Sequence, residues 1–151
     1  MSIPLIREAT PDDMRAVHDL IRELAIYEKA EGELVNTVTQ LKEDGFGANK
    51  IFDCIVAEVD HQIIGFALYY TSYSTWKGKC LYLEDFLVTE SWRGKGIGKK
   101  LFERVYEIAK ERKVGRFEWQ VLDWNESAIA FYEKYGAEMD GEWFNARIKF
   151  R

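Results

Sequence analysis

Two runs of residues near the middle of this 151-residue chain have the types and spacing to do chemistry. The first is Leu83-Glu84-Asp85-Phe86-Leu87-Val88, in which two adjacent carboxylates interrupt an apolar, strand-like stretch. A carboxylate in such surroundings is costly unless it is paired or used. Strict alternation sends Glu84 and Asp85 to opposite faces of a strand, so only one of them points at a given cleft. Pairing of either with a neighbouring Arg or Lys is the plain structural alternative. The second run is Arg93-Gly94-Lys95-Gly96-Ile97-Gly98-Lys99. Gly96 and Gly98 remove side chains where a helix begins, so successive backbone N–H groups can close on an anion that the helix dipole favours. The pattern suits a pyrophosphate. It lacks the Gly-Lys-Ser/Thr ending of a Walker loop, and the third glycine and downstream acid of the dinucleotide fingerprint. Glycines at a tight turn before a helix can also be purely structural.

The elements that must hold these runs alternate along the chain without linker, repeat or low-complexity stretch. A first strand is expected over 3–9, followed by Thr10 as an N-cap, Pro11 at the first helical position and Asp13 completing a carboxylate version of the capping box. Met14, Val17, Leu20, Ile21 and Leu24 recur at helical spacing, so this helix runs to about Tyr27. Thr37 and Gln40 repeat the capping pattern before a short helix that Gly45-Phe46-Gly47 ends. Residues 52–59 and 63–73 read as a hairpin turned at Asp60-His61-Gln62, and 80–88 as another strand. The amphipathic helix at 96–112 is followed by a strand at 116–122 and a short helix at 127–135 closed by Gly136. A last strand is expected over 144–150. The order supports a three-layer α+β fold with a mixed sheet, one domain spanning 1–151.

Composition narrows the function. Hydrophobic residues at 47% and charged residues at 31% are a globular balance, and no apolar run reaches the roughly 18 residues of a spanning helix. The opening segment lacks the layout of a secretory signal, so a cytoplasmic protein is expected, with Cys54 and Cys80 as reduced core thiols and a disulfide as the alternative. A net charge of -5 argues against a nucleic-acid binder. The charge is uneven: Arg93, Lys95, Lys99 and Lys100 form a basic cluster, and Glu28, Glu31 and Glu33 an acidic one. Two partners of opposite charge would use that asymmetry, and solvated charged faces are the plainer reading.

Arg-x-x-Gly-x-Gly at a strand-to-helix junction resembles the acetyl-CoA-binding motif of the GNAT N-acetyltransferases. Tyr82-Leu83-Glu84-Asp85-Phe86 is similar to the matching strand of the diamine (spermidine/spermine) acetyltransferases, as are Ile6-Arg7-Glu8-Ala9-Thr10, Glu43-Asp44-Gly45-Phe46-Gly47, Val56-Ala57-Glu58-Val59, Gly65-Phe66-Ala67-Leu68-Tyr69-Tyr70, Trp124-Asn125-Glu126 and Phe131-Tyr132-x-x-x-Gly136-Ala137. The likeness runs in order over nearly the whole chain and extends to the thialysine acetyltransferases. It implies a GNAT-type three-layer fold, a mixed, mostly antiparallel sheet flanked by helices, and acetyl-CoA as co-substrate without a metal. In such folds the strand carrying Glu84 and Asp85 usually has a bulge, which can re-aim either carboxylate.

The implied reaction is direct attack of a primary amine on the thioester. An alkyl ammonium of pKa about 10 is mostly charged at neutral pH, so it needs a proton acceptor. Glu84 is the candidate base or water-holder, with Asp85 as the other possibility. Helical periodicity does not separate Tyr132 from Tyr135, but the resemblance selects Tyr132 as the acid that protonates the departing thiolate. It also implies that the backbone of Phe86, Leu87 and Val88 holds the pantetheine arm, and that Arg93, Gly94, Lys95, Gly96, Ile97, Gly98 and Lys99 hold the pyrophosphate. Asn125 and Ser127 resemble the residues that cap the 127–135 helix and touch the pantetheine arm, with ordinary N-capping as the plainer role. Tyr27, Glu28, Trp76, Glu84 and Asp85 match positions facing the amine, where acidic and aromatic groups suit a cation. Ser74 stands where the polyamine enzymes carry an aspartate, which keeps shorter diamines and lysine analogues in contention. A homodimer is also implied, its site completed in part by the second subunit.

Rival classes are a protein or peptide N-acetyltransferase, and a non-catalytic acyl-CoA-binding regulator that would not need both Glu84 and Tyr132. A cysteine nucleophile would need an activating histidine, yet His18 reads as a helix-surface residue and His61 as a turn residue. No spaced His, Cys or carboxylate set suggests a metal.

Overall fold

The computed structural model describes residues 3–151, which divide into two compact units meeting at Trp119 and Gln120. The larger unit holds a five-stranded sheet in the order β1 (Leu5–Glu8), β2 (Asp53–Val59), β3 (Gln62–Ser74), β4 (Gly78–Val88) and β5 (Arg116–Glu118). Pairing is antiparallel from β1 to β4 and parallel between β4 and β5. Only the last pair requires a crossover. That crossover is α3 (Ile97–Glu111), whereas α1 (Met14–Tyr27) and α2 (Val38–Phe46) lie between β1 and β2 in sequence.

Alternation along the strands puts a core on each side of the sheet. Met14, Val17 and Leu20 of α1 and Leu41 of α2 pack with Cys54, Val56 and Phe66. Their neighbours face α3: a Cβ on Gly65 would stand 3.2 Å from Leu101 and 2.9 Å from the Leu87 carbonyl, so only glycine lets these layers close. On the α3 side Phe86, Phe102, Phe117 and Trp119 form an aromatic stack with centroids 4.9–6.0 Å apart.

Local capping follows the sequence. Thr10 starts a 3-10 turn at Pro11–Asp13 that leads into α1, and the Asp13 carboxylate accepts from the Thr10 N–H at 2.7 Å. Arg7 binds the same carboxylate at 2.8 Å and Glu58 at 2.6 Å, tying β1, β2 and the entry to α1 together. Burial alone would raise Asp13, but its bonds from Arg7 and Thr10 outweigh that and hold it below the usual carboxylate range. Thr37 Oγ1 accepts from the Gln40 N–H at 3.1 Å, capping α2. Asp60 and His61 take the left-handed turn of the β2–β3 hairpin, with φ 48° and 65°.

The smaller unit, Gln120–Arg151, contains α4 (Glu126–Glu133). Asn125 caps it by accepting from the Ala128 N–H at 3.2 Å, and Ser127 donates to the same Asn125 oxygen at 3.2 Å. Gly136, at φ 83°, ends it as expected.

Three expectations need correction. Residues 144–150 form no strand: the alternation of Phe144, Ile148 and Phe150 supplies a face but no partner ladder, and these side chains are exposed. The strand expected at 116–122 stops at Glu118, because β5 pairs only with Cys80–Tyr82. His18 is buried rather than on the helix surface. The segment after a 3-10 turn at Glu31–Glu33 folds over α1, and the Asn36 carbonyl lies 2.8 Å from His18 Nε2. Cys54 and Cys80 are both buried and unpaired.

Candidate active site

The geometry of the site begins with one extra residue in β4. Against β3 the register runs Leu68↔Asp85 and then Tyr69↔Leu83, so Glu84 has no opposite number. Tyr70 and Tyr82 pair on the α1 face of the sheet, with ring centroids 5.4 Å apart. Leu83 therefore faces α3 and Glu84 returns to the α1 face, where its charge adds to the effect of burial on Tyr70. The bulge then repeats that face instead of alternating, and Asp85 lies opposite Leu68, itself packed on the α1 core. Both carboxylates thus share one face. The C-cap of α1 brings a third, Glu28, whose charge acts on Asp85 together with that of Glu84.

Asp85 is partly buried and Glu84 exposed, which separates their chemistry. Burial, followed by the charges of Glu84 and Glu28, pushes the Asp85 carboxyl up to about 7. Burial also raises Tyr70 and Tyr82, with the Glu84 charge adding to it. An acid half-ionised near neutrality, flanked by two carboxylates, is suited to exchanging a proton with a cation.

Directly after Asp85 the same strand enters a cavity of about 240 Å³ lined by Phe86, Leu87, Val88, Trp92, Arg93, Gly94, Gly96, Ile97 and Gly98. Gly96 is the N-cap of α3 at φ 78°, a conformation open to glycine at little cost. The first intrahelical bond runs from the Lys100 N–H to the Gly96 carbonyl, so the N–H groups of Ile97, Gly98 and Lys99 have no helical acceptor. Beyond Tyr82, β5 no longer pairs with β4, which leaves the outer edge of Leu83–Val88 without a strand neighbour. A polyphosphate fits the first feature, and an extended amide chain the second. Lys95 reaches over the Trp92 ring at 5.6 Å, and Lys99 is exposed at the helix start.

Other sequence-selected residues stand further off or in the other unit. Tyr27 is exposed, with the Arg93 guanidinium 5.7 Å over its ring. Trp76 is 91% exposed at the tip of the β3–β4 hairpin, seven strand residues and roughly 23 Å from Asp85. Ser74 Oγ accepts from the Trp76 and Lys77 N–H groups at 3.1 and 3.0 Å, so its hydroxyl is engaged in closing that turn. In the smaller unit Tyr132 is buried, and burial pushes its hydroxyl up to about 12, keeping it protonated. Sequence reasoning missed Trp92, whose place just before the glycines was the available signal, and Glu23, which binds Arg93 from α1.

Comparisons with known proteins bear on the family and the fold. The profile of the acetyltransferase (GNAT) family matches residues 15–137. Thialysine N-epsilon-acetyltransferase of Sus scrofa is 41% identical over 145 residues, covering 91% of this chain and 85% of that protein. Spermidine/spermine N(1)-acetyltransferase-like protein 1 of Homo sapiens is 39% identical over 139 residues, covering 87% of this chain and 20% of that protein. Among solved structures, aminoglycoside N-acetyltransferase AAC(6')-Iy in complex with CoA superposes with a TM-score of 0.75 at 17% identity, over 99% of this chain and 97% of that one. At that identity the likeness speaks for the fold alone.

A buried acid with a raised pKa has a stability signature. Asp85 holds more proton in the folded chain than in the unfolded one between its ordinary range and about 7, so stability falls as pH climbs through that window and levels off above it. Asp85→Asn, which carries no charge, should melt above wild type at about pH 8, and the difference should close by about pH 4. A melting difference that ignores pH would show that no buried charge resides there.

Proposed function

The chain belongs to the acetyltransferase (GNAT) family and is an acetyl-CoA-dependent N-acetyltransferase, and we propose that its acceptor is a primary amine of a small polyamine, diamine or lysine-like molecule. The observation that carries this reading is the β4 bulge, which gathers Glu84, Asp85 and Glu28 on one face at the point where the strand enters the glycine cradle. Three carboxylates suit a cation, and the adjoining cradle suits the pyrophosphate of CoA. The family match crosses both compact units, which supports reading 1–151 as one acetyltransferase domain.

Acetyl-CoA supplies the acetyl group on a thioester. The N–H groups of Ile97, Gly98 and Lys99, with Gly94, Gly96 and the cations of Lys95 and Arg93, hold its pyrophosphate. The backbone of Phe86, Leu87 and Val88 holds the pantetheine along the open edge of β4; Asn125 and Ser127 are further pantetheine contacts by the family resemblance alone. Glu28 and Glu84 attract the ammonium, with Tyr27 lending a ring face. Asp85 accepts the proton that frees the nitrogen lone pair; Glu84 retains the part of holding water or cation beside it. Tyr132, kept neutral by burial, gives its proton to the departing sulfur.

We also propose a homodimer. Tyr73 and Trp76 are 78% and 91% exposed at a hairpin tip too distant to serve the acidic face of their own chain, so a second copy is the partner within reach of them. Sedimentation solely as a 17.7 kDa species would refute this. Two buried, unpaired cysteines fit a reducing compartment, and we place the protein in the cytoplasm.

The cradle is best tested at Gly98. A side chain at Gly96 is strained at φ 78°, whereas a Cβ at Gly98 makes ordinary contacts of 3.8 Å with Val88 and 4.0 Å with Phe86 inside the cavity. Gly98→Val should lower CoA affinity at least about tenfold in calorimetry, with the thermal midpoint little changed. Undiminished affinity would remove the pyrophosphate from this site.

Acid and base are separable by kinetics. Activity of the wild type should rise with pH through about 7 as Asp85 ionises. Asp85→Asn should abolish that limb and lower kcat by ~10²- to 10⁴-fold near neutrality, with less loss where free amine is plentiful. Tyr132→Phe should lower kcat at least about tenfold while CoA affinity holds. If the acid limb persists in Asp85→Asn and shifts in Glu84→Gln, the base is Glu84. A Tyr132→Phe enzyme with full kcat, under conditions where chemistry limits the rate, would leave that ring a packing residue.

A further inference from the structure

Glu23 belongs to no run that sequence reasoning singled out, yet it collects three donors from the loop beyond β4. Its Oε1 accepts from Thr89 Oγ1 at 2.7 Å, and its Oε2 from the Glu90 N–H at 3.1 Å and from Arg93 Nη2 at 3.0 Å. Thr89 is the first residue after the strand and Arg93 the last before the glycines. One carboxylate on α1 therefore spans the whole lead-in to the cradle. Arg93 is held in two further ways: its Nε donates to the Val88 carbonyl at 2.8 Å, and its guanidinium lies over Tyr27, one helical turn beyond Glu23.

We propose that Glu23 is a positioning residue for the co-substrate, latching residues 89–93 to α1 so that the cradle N–H groups stand ready before CoA arrives. The proposal rests on the reading that the cradle takes the CoA pyrophosphate. A loop with Gly94 and Gly96 both at φ 78° is the backbone with the most freedom to lose on binding. Anchoring its upstream half through a side chain that never meets the ligand lowers that loss. The Glu23–Arg93 pair is about one-third exposed on each side, so it contributes little to global stability, and its effect belongs in affinity. The same latch links the cradle to the end of α1 that bears Tyr27 and Glu28.

Glu23→Ala should raise the CoA dissociation constant at least about fivefold in calorimetry, with melting temperature and kcat at saturating acetyl-CoA close to wild type. Glu23→Gln keeps one acceptor oxygen, for the Glu90 N–H, and can turn its amide N–H to the Thr89 hydroxyl oxygen, but it loses the charge opposite Arg93, so its loss should be smaller; it also serves if the alanine variant folds poorly. Arg93→Ala added to Glu23→Ala should cost less than the sum of the two single changes. Wild-type CoA affinity in both Glu23 variants overturns the latch, as does a loss matched by an equal fall in melting temperature. Gly98→Val distinguishes the levels: if it abolishes CoA binding while Glu23→Ala does not, only the latch fails, and if neither matters the pyrophosphate assignment fails with it.

Discussion

A single residue of surplus in β4 over β3 decides what this sheet can do. Without it, Asp85 would sit on the face of Leu83, against α3 and its aromatic stack, away from Glu84. With it, two successive acids emerge on the α1 side, and burial there sets Asp85 apart from Glu84. The bulge exchanges one register step for a concentration of negative charge that a regular strand could not build. Helix α1 is long enough that its last turn reaches the same place, so the acidic face is shared by two elements that meet only in the folded chain.

The second constraint is the shortness of β5. Its three residues cover only Cys80–Tyr82, and the remaining edge of β4 is left open. Elsewhere an open edge is a liability for aggregation. Here it lies next to the N-terminus of α3, so strand edge and helix end offer their unused hydrogen-bonding groups to the same volume. Gly65 of β3 contributes as well, since a side chain there would press on the Leu87 carbonyl of β4 and on Leu101 of α3.

What could be read from the sequence was what depends on near neighbours. The caps at Thr37 and Asn125, the terminator at Gly136 and the periodicity of α1 and α3 involve residues within a few positions of one another, and each appears as expected. The glycine cradle was legible for the same reason. The facing of Glu84 and Asp85 was not legible from their own strand, because a bulge is a mismatch between two strands; only the family resemblance suggested one. Glu23 and the loop it holds are 66 to 70 positions apart, beyond any local pattern. His18 was misjudged because helical spacing says which face is apolar but not what a later loop will lay over its flank. The alternation at 144–150 misled in the opposite sense: a face suited to a strand does not make one without an edge to join.

The placing of charge along β4 also governs how reactants arrive. Glu28, Glu84 and Asp85 gather at one end of a short stretch of strand, and Arg93, Lys95, Lys99 and Lys100 at the other, with Glu23 holding Arg93 in place. Such a separation of charge attracts cations toward the acidic end of the strand and anions toward the basic end. At physiological ionic strength that pull fades over about 8 Å, which makes encounter rates on both sides sensitive to salt while the packed geometry behind them stays the same.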